Sequence, residues 1–255
     1  MRIKYVVVAS LLLFWQQVAQ AQDAAIAIII DDLGNHDSHE QAVRLPGAIA
    51  CAFLPHTPYT PRLAKLAHSL NKEVILHAPM QAMNNKALGP GSLTLDMSEQ
   101  EFIETLQQDL ASVPHVSGIN NHMGSLLTRH PGHMLWLMQE MNRHGDLFFV
   151  DSRTTAQSVA RMVAEENSVP TLNRDVFLDA DNTQEFVEQQ FDKLISIAKK
   201  RGTALGIGHP YPATIAVLKK RLQQLDGEEV VLVSVSELLR RRNKEKSSWQ
   251  VSLSR

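Results

Sequence analysis

Between residues 25 and 235 the chain alternates about eight times between short, almost uninterrupted apolar runs and longer stretches with helical spacing. The runs are AIAIII (25–30), AIACAFL (48–54), EVILH (73–77), VSGIN (116–120), LFFVD (147–151), TLNRDVF (171–177), TALGIG (203–208) and EVVLVSV (229–235). Most are apolar at successive positions. That pattern is expected of strands covered on both faces, as in a parallel sheet flanked by helices. Repeated strand–helix alternation without a domain break predicts an α/β fold, with a (β/α) barrel ahead of an open doubly wound sheet.

The helical stretches carry their own end signals. Ser98 to Glu101, SEQE, has the form of a capping box ahead of Phe102, Ile103, Leu106 and Leu110. Pro131 opens a segment with Met134, Leu135, Leu137, Met138 and Met141, and Gly145 stops it. A methionine stripe of this kind predicts core packing. TQEFVEQQFDKLISIAKKRG places Phe186, Val187, Phe191, Leu194, Ile195 and Ala198 at helical spacing and ends in basic residues and Gly202. The Gly-, Pro- and Asn-rich segment 84–98 reads as a long loop at the border of a groove. The basic, polar tail 241–255 reads as a solvated, disordered end, which leaves 22–240 as one domain.

The N-terminus predicts export. MRIK is basic, YVVVASLLLFW is apolar, and QQVAQAQ is polar with small residues at Ala19 and Ala21. This is the layout of a secretory signal peptide over residues 1–21, cleaved after Ala21, and it suits a bacterial periplasm. An uncleaved anchor is the alternative, although the apolar core is shorter than the ~20 residues of a usual span. No later stretch has spanning length. A net charge of -2 gives no reason to expect a nucleic-acid partner, and a single cysteine, Cys51, excludes an internal disulfide. Histidine is abundant, with 11 copies, which makes a metal or acid–base site worth seeking.

Ionisable and amide groups collect immediately after the strands. The first run ends in Asp31 and Asp32, and the second leads to His56. The third ends at His77, and the fourth runs into Asn120, Asn121 and His122. The fifth ends at Asp151, and the seventh leads to His209. Taken singly, each has an ordinary explanation as a cap, a turn or a hydrogen-bonded core residue. Together they would converge on one mouth, because the carboxyl ends of barrel strands share a face where active sites are built. A second metal set, His36, Asp37, His39 and Glu40, reads instead as the exposed start of the first helix.

In this order, the stretches IIIDDLG, AFLPHTPYT, LHAPMQ, GINNHMGSLLT, FFVDSRTT, DVFLD and GIGHPYPAT resemble the divergent polysaccharide deacetylases. That family is an offshoot of the NodB-like carbohydrate deacetylases with a distorted (β/α) barrel, and the likeness covers roughly residues 25–240. The resemblance implies Asp31 as general base and Asp32 as ligand of a divalent metal, most simply zinc. It implies His77 as a second ligand and His209 as general acid. The ordinary enzymes place another ligand His four residues after the first, where this chain has Gln81. His122, at the next strand, is the nearest replacement, giving Asp32, His77 and His122. Asp151 and Arg153 would orient the machinery or form a structural ion pair, with Asn120, Asn121, Gln81 and His56 in supporting or substrate-binding places.

The activity so implied is removal of N-acetyl groups from a cell-envelope glycan such as peptidoglycan. Asp31 would deprotonate the attacking water and His209 would protonate the departing amine. Two other functions stay open from the sequence. One is a non-catalytic glycan- or protein-binding member of the same fold. The other is a glycosidase using Asp31 and Asp151 as its carboxylate pair.

Overall fold

The structure is a computed structural model that describes residues 23–84 and 86–253. The expected signal peptide, 1–21, lies outside the described residues. In chain order the elements are β1 (Ala24–Leu33), α1 (Glu40–Val43), β2 (Ala50–Phe53), α2 (Thr60–Ser69), β3 (Val74–Met80) and α3 (Glu99–Ser112). Then come β4 (Val116–Met123), α4 (Pro131–His144), β5 (Phe148–Asp151), α5 (Ala160–Glu166), β6 (Thr171–Asn173) and β7 (Val176–Phe177). The chain continues with α6 (Gln184–Arg201), β8 (Thr203–Gly208), α7 (Pro212–Arg221), β9 (Val230–Leu232) and α8 (Val235–Leu253).

All strand pairings are parallel, in a 9-stranded sheet of order β6-β5-β4-β3-β2-β1-β8-β7, with β9 on β1. β8 runs along β1 from Ala25 to Ile30. The other edge of β1 is shared: β9 pairs with Ala24–Ile26, and β2 with Ile29, Ile30 and Leu33.

The sequence predicts one strand over 171–177, but the structure contains two. β6 lies at one end of the sheet and β7 at the other, with only Arg174 and Asp175 between them. The Arg174 amide donates to Asp151 O at 3.0 Å on β5, and the Asp175 amide donates to Leu205 O at 2.9 Å on β8. The three steps from Asn173 to Val176 reach only about 11 Å. The sheet must therefore curl until its ends meet, which makes it a distorted barrel rather than an open doubly wound sheet.

The strand alternation sorts side chains into two layers. Ile26, Ile28, Ile30, Cys51, Phe53 and Leu76 pack outward against the helices, with Phe102, Met134, Met138, Phe191 and Leu194 among their neighbours in that core. Ala25, Ala27, Ile29, Ala50, Ala52, Ile75, Leu205 and Ile207 fill the interior, and Val235, Leu238 and Leu239 of α8 join them. Small alanines on β1 and β2 suit a narrow interior, while each fully buried isoleucine outside contributes about 1.5–3 kcal/mol.

The helix ends follow the sequence signals. Ser98 and Glu101 form the reciprocal capping box of α3, Pro131 starts α4, and Gly145 follows its last residue at φ 128°. Thr183 caps α6, and Gly202 at φ 79° ends it. The tail differs from expectation, because α8 continues to Leu253. Its first basic residues have partners that hold them. Arg241 Nε donates to Glu237 Oε1 at 2.8 Å, and Arg242 bonds Thr203 Oγ1 at 3.0 Å and the Asp175 carboxylate. Glu73 caps the other end of α8 by accepting from the Val235 and Ser236 amides at 2.7 and 3.1 Å.

Candidate active site

The carboxyl ends of the strands form one mouth. β1 delivers two adjacent carboxylates there by a local irregularity. Its register against β2 slips between Ile30 and Leu33, and Asp32 sits at φ 58° in the left-handed region. In a regular strand Asp31 and Asp32 would point to opposite faces. The bulge re-aims one of them, so both reach the same cluster.

Asp32 Oδ1 lies 2.8 Å from His122 Nδ1 and 3.1 Å from His77 Nε2, and the two ring nitrogens are 3.1 Å apart. Despite these approaches, Asp32 Oδ1 is buried with no hydrogen bond of acceptable geometry among the described residues. Two imidazole nitrogens and a buried carboxylate oxygen that receives no hydrogen bond among the described residues, all facing one point, form a donor set that fits a cation. Ligands about 2.0–2.2 Å from a tetrahedral ion are themselves separated by roughly 3.3 Å, close to the spacing here. Asp32, His77 and His122 could therefore hold a divalent metal. His77 is oriented for it: its Nδ1 is 2.8 Å from Asn120 Oδ1, an acceptor, so Nδ1 carries a proton and Nε2 is the nitrogen left to face a metal.

Asn120 serves both acids' neighbourhoods. Its amide nitrogen donates to Asp31 Oδ1 at 2.8 Å while its oxygen takes His77. Burial pushes the Asp31 carboxyl above its ordinary value, more strongly than His77, His209 and Asn120 pull it down. Burial also raises Asp32, but His122 and His77 overcome it and hold that carboxyl far below the usual range. Burial would neutralise His77, yet Asp31 and Asp32 push it up to about 9. Neighbouring acids are thus driven in opposite directions, one toward a basic carboxylate and one toward a permanent anion.

Across the mouth, His209 Nε2 is 3.8 Å from Asp32 Oδ2, and its Nδ1 is 2.9 Å from Asp179 Oδ1. Burial lowers His209, and the bond to Asp179 with the charge of Asp31 more than reverses this, so its pKa is raised. Asp179 also accepts from the His209 amide at 2.6 Å and from Thr214 Oγ1 at 2.8 Å. Asp31, His77, His122 and His209 share a cavity of about 410 Å³ with Arg153 and Arg174.

The remaining residues named from the sequence divide. Asn121 lines the cavity, but its side chain joins strand ends, accepting from the Ser152 amide at 2.9 Å and donating to Met123 O at 2.7 Å. Asp151 Oδ1 accepts from the Arg153 amide at 2.7 Å, so the pair meets through backbone and makes no side-chain ion pair. His56 is drawn away from the mouth: its Nε2 is 2.9 Å from Asp109 Oδ1, on α3. Gln81 stands aside from the metal ligands and binds the long loop, its Oε1 accepting from the Leu95 amide at 2.8 Å. In the rival set, Asp37 and Glu40 bond Arg62, Glu40 bonds Arg44 as well, and His39 Nδ1 accepts from the Gly34 amide at 3.2 Å.

Two residues at the site were not anticipated individually, Asp179 and Arg174. Both fall in the stretch LNRDVFLD, where the sequence predicts one strand over 171–177 that contains Arg174 and ends two residues before Asp179. The acids Asp175 and Asp179 on either side of the apolar run Val176, Phe177 and Leu178 are the signal that the strand is short and ends at the mouth.

Comparison with known proteins bears on the family and the fold. The divergent polysaccharide deacetylase family model matches residues 28–239. The uncharacterized protein YibQ of Escherichia coli is 35% identical over 215 residues, 84% of this chain and 67% of that protein. An uncharacterized protein of Haemophilus influenzae is 38% identical over 216 residues, 84% of this chain and 76% of that one. The crystal structure of an uncharacterized protein of Agrobacterium tumefaciens superposes with a TM-score of 0.82 at 24% identity, covering 86% of this chain and 91% of that chain. A peptidoglycan deacetylase, PdaC of Bacillus subtilis, matches with a TM-score of 0.52 at 10% identity over 91% of this chain and 97% of that chain, a likeness of fold.

Proposed function

Given that the chain belongs to the divergent polysaccharide deacetylase family, we propose that it is a metal-dependent hydrolase removing N-acetyl groups from glycans of the cell envelope. The observation that carries this reading is the convergence of Asp32, His77 and His122 beside a second, differently tuned carboxylate, Asp31. Export through the N-terminal segment 1–21 is part of the proposal and rests on its signal-peptide layout.

Asp32, His77 and His122 would hold a divalent ion, zinc by this one-carboxylate, two-imidazole donor set, which would supply positive charge to polarise an amide carbonyl and acidify water. The protein's own groups do the rest. Asp31, whose burial makes its carboxylate more basic, accepts the proton of the attacking water at a carboxylate oxygen. Asn120 holds that carboxylate in place from behind. His209, kept protonated by Asp179 at Nδ1, presents Nε2 to the cavity and gives its proton to the leaving amine.

The test is acetate release from peptidoglycan fragments and chitooligosaccharides by the zinc-loaded protein, with Asp31→Asn as control. Acetate from at least one substrate, abolished in the control, is expected. Glycan binding without acetate release from any substrate refutes the catalytic reading and favours a binding member; cleaved chains without acetate favour a glycosidase.

A further inference from the structure

Arg153 and Arg174 line the same cavity as Asp31, His122 and His209, and among the described residues neither guanidinium has a carboxylate within ion-pair distance. Arg174 is half-buried at the seam between β6 and β7. Its Nε donates to Ser152 O at 2.7 Å, its Nη2 to Arg153 O at 3.1 Å, and it lies 4.9 Å from the centroid of the Phe177 ring. These contacts fix its plane, and among the described residues Nη1 has no hydrogen-bond partner.

Arg153 is held differently. Its backbone is left-handed at φ 50°, a conformation that costs a side-chain-bearing residue about 1 kcal/mol and that glycine adopts freely. Two bonds enforce it, from its amide to Asp151 Oδ1 and from Arg174 to its carbonyl. A turn needed only for its shape would be better served by glycine. The turn instead carries an arginine whose side chain is exposed to the cavity and, among the described residues, makes no bond of its own. Strain retained to aim a charge points to a ligand for that charge.

We propose that Arg153 and Arg174 form a carboxylate-binding subsite, so that the substrate is an acetamido glycan bearing a carboxylate beside the N-acetyl group. The proposal rests on the deacetylase reading and narrows its substrate class. Planar guanidinium edges match a carboxylate well. Asp31, Asp32 and Asp151 lie at the same mouth and would repel a phosphate dianion more than a singly charged carboxylate. The carboxylate has two possible sources, a lactyl ether arm on the acetamido sugar or an adjoining uronic acid.

The experiment compares kcat/KM for acetate release from four probes: denuded peptidoglycan strands with free lactyl carboxylates, hyaluronan oligosaccharides, and the methyl ester of each. A preference for the free acid over its ester of about tenfold or more is expected for one source, and Arg153→Gln should shrink that ratio toward one. The source showing the preference identifies the carboxylate. Equal kcat/KM for acids and esters in the unmodified protein overturns the subsite while leaving the deacetylase reading standing. If no probe yields acetate, that reading fails separately, and calorimetric binding of acid and ester to the zinc-loaded protein decides the subsite. Tighter binding of the acid, lost in Arg153→Gln, supports it; equal or absent binding overturns it.

Discussion

Replacing Asn120 with alanine should weaken metal binding although Asn120 is not itself a ligand. Its side chain, fully buried, fixes the His77 tautomer through the 2.8 Å approach to Nδ1 and steadies Asp31 through a second 2.8 Å bond. Loss of such a support from a metal-bound histidine typically costs about 10–100-fold in affinity, or roughly 1.4–2.7 kcal/mol. The substitution also strands a buried imidazole N–H and a buried carboxylate oxygen, each at about 1–3 kcal/mol, a total of roughly 2–6 kcal/mol of stability. For a domain of this size each kcal/mol lowers Tm by about 2–4 °C, so a fall of at least several degrees is expected. Zinc competition against a chromophoric chelator reads the affinity, and calorimetric melting of the metal-free protein reads the stability. Asn120→Ala protein that melts lower yet binds zinc with unchanged affinity would refute the orienting role. Unchanged affinity in His122→Ala would remove His122 from the ligand set altogether.

Other consequences can be checked separately. Asp31→Asn should retain zinc at full stoichiometry by elemental analysis while losing acetate release by at least a hundredfold, since it removes the base and no ligand. Asp179→Asn removes the charge that keeps His209 protonated, so the alkaline limb of the pH–kcat/KM profile should move to lower pH; an unmoved limb would exclude His209 as the acid. Burial raises the Asp109 carboxyl to about 8, so the folded chain keeps a proton that the unfolded chain loses near 3.8. Stability should therefore decline as pH rises between those values, and Asp109→Asn should flatten that decline in denaturant titrations. Ser98→Ala should lower stability by about 1 kcal/mol through loss of the α3 capping box, without changing metal affinity.

Much of this arrangement is legible in the sequence because it depends on local chemistry. Continuous apolar runs identify the strands, SEQE and Pro131 mark helix starts, and the groups after each run identify the mouth. The convergence of Asp32, His77 and His122 also follows once adjacent parallel strands are assumed, since His77 stands opposite Asn120 in the β3–β4 register. What escapes the sequence is decided by distant partners. His56 is drawn off by Asp109, 53 residues later, and Gln81 by a backbone amide 14 residues on. The bulge at Asp32 requires a left-handed aspartate, which no glycine signals. Arg174 and Asp179 reach the site only because one expected strand is broken between opposite ends of the sheet. The tail becomes a helix because Arg241 and Arg242 find acceptors on Glu237, Asp175 and Thr203, partners that its basic composition does not reveal.

That break has a consequence for solubility. The outermost strands of a parallel sheet normally present unpaired amides that can recruit a strand from another molecule. Here those strands are only three and two residues long, Thr171–Asn173 and Val176–Phe177, and the chain steps directly from one to the other. The flanking amides of Arg174 and Asp175 are already taken by β5 and β8. The fold thus turns its two most adhesive borders toward each other, leaving little ladder at this seam on which an intermolecular sheet could grow.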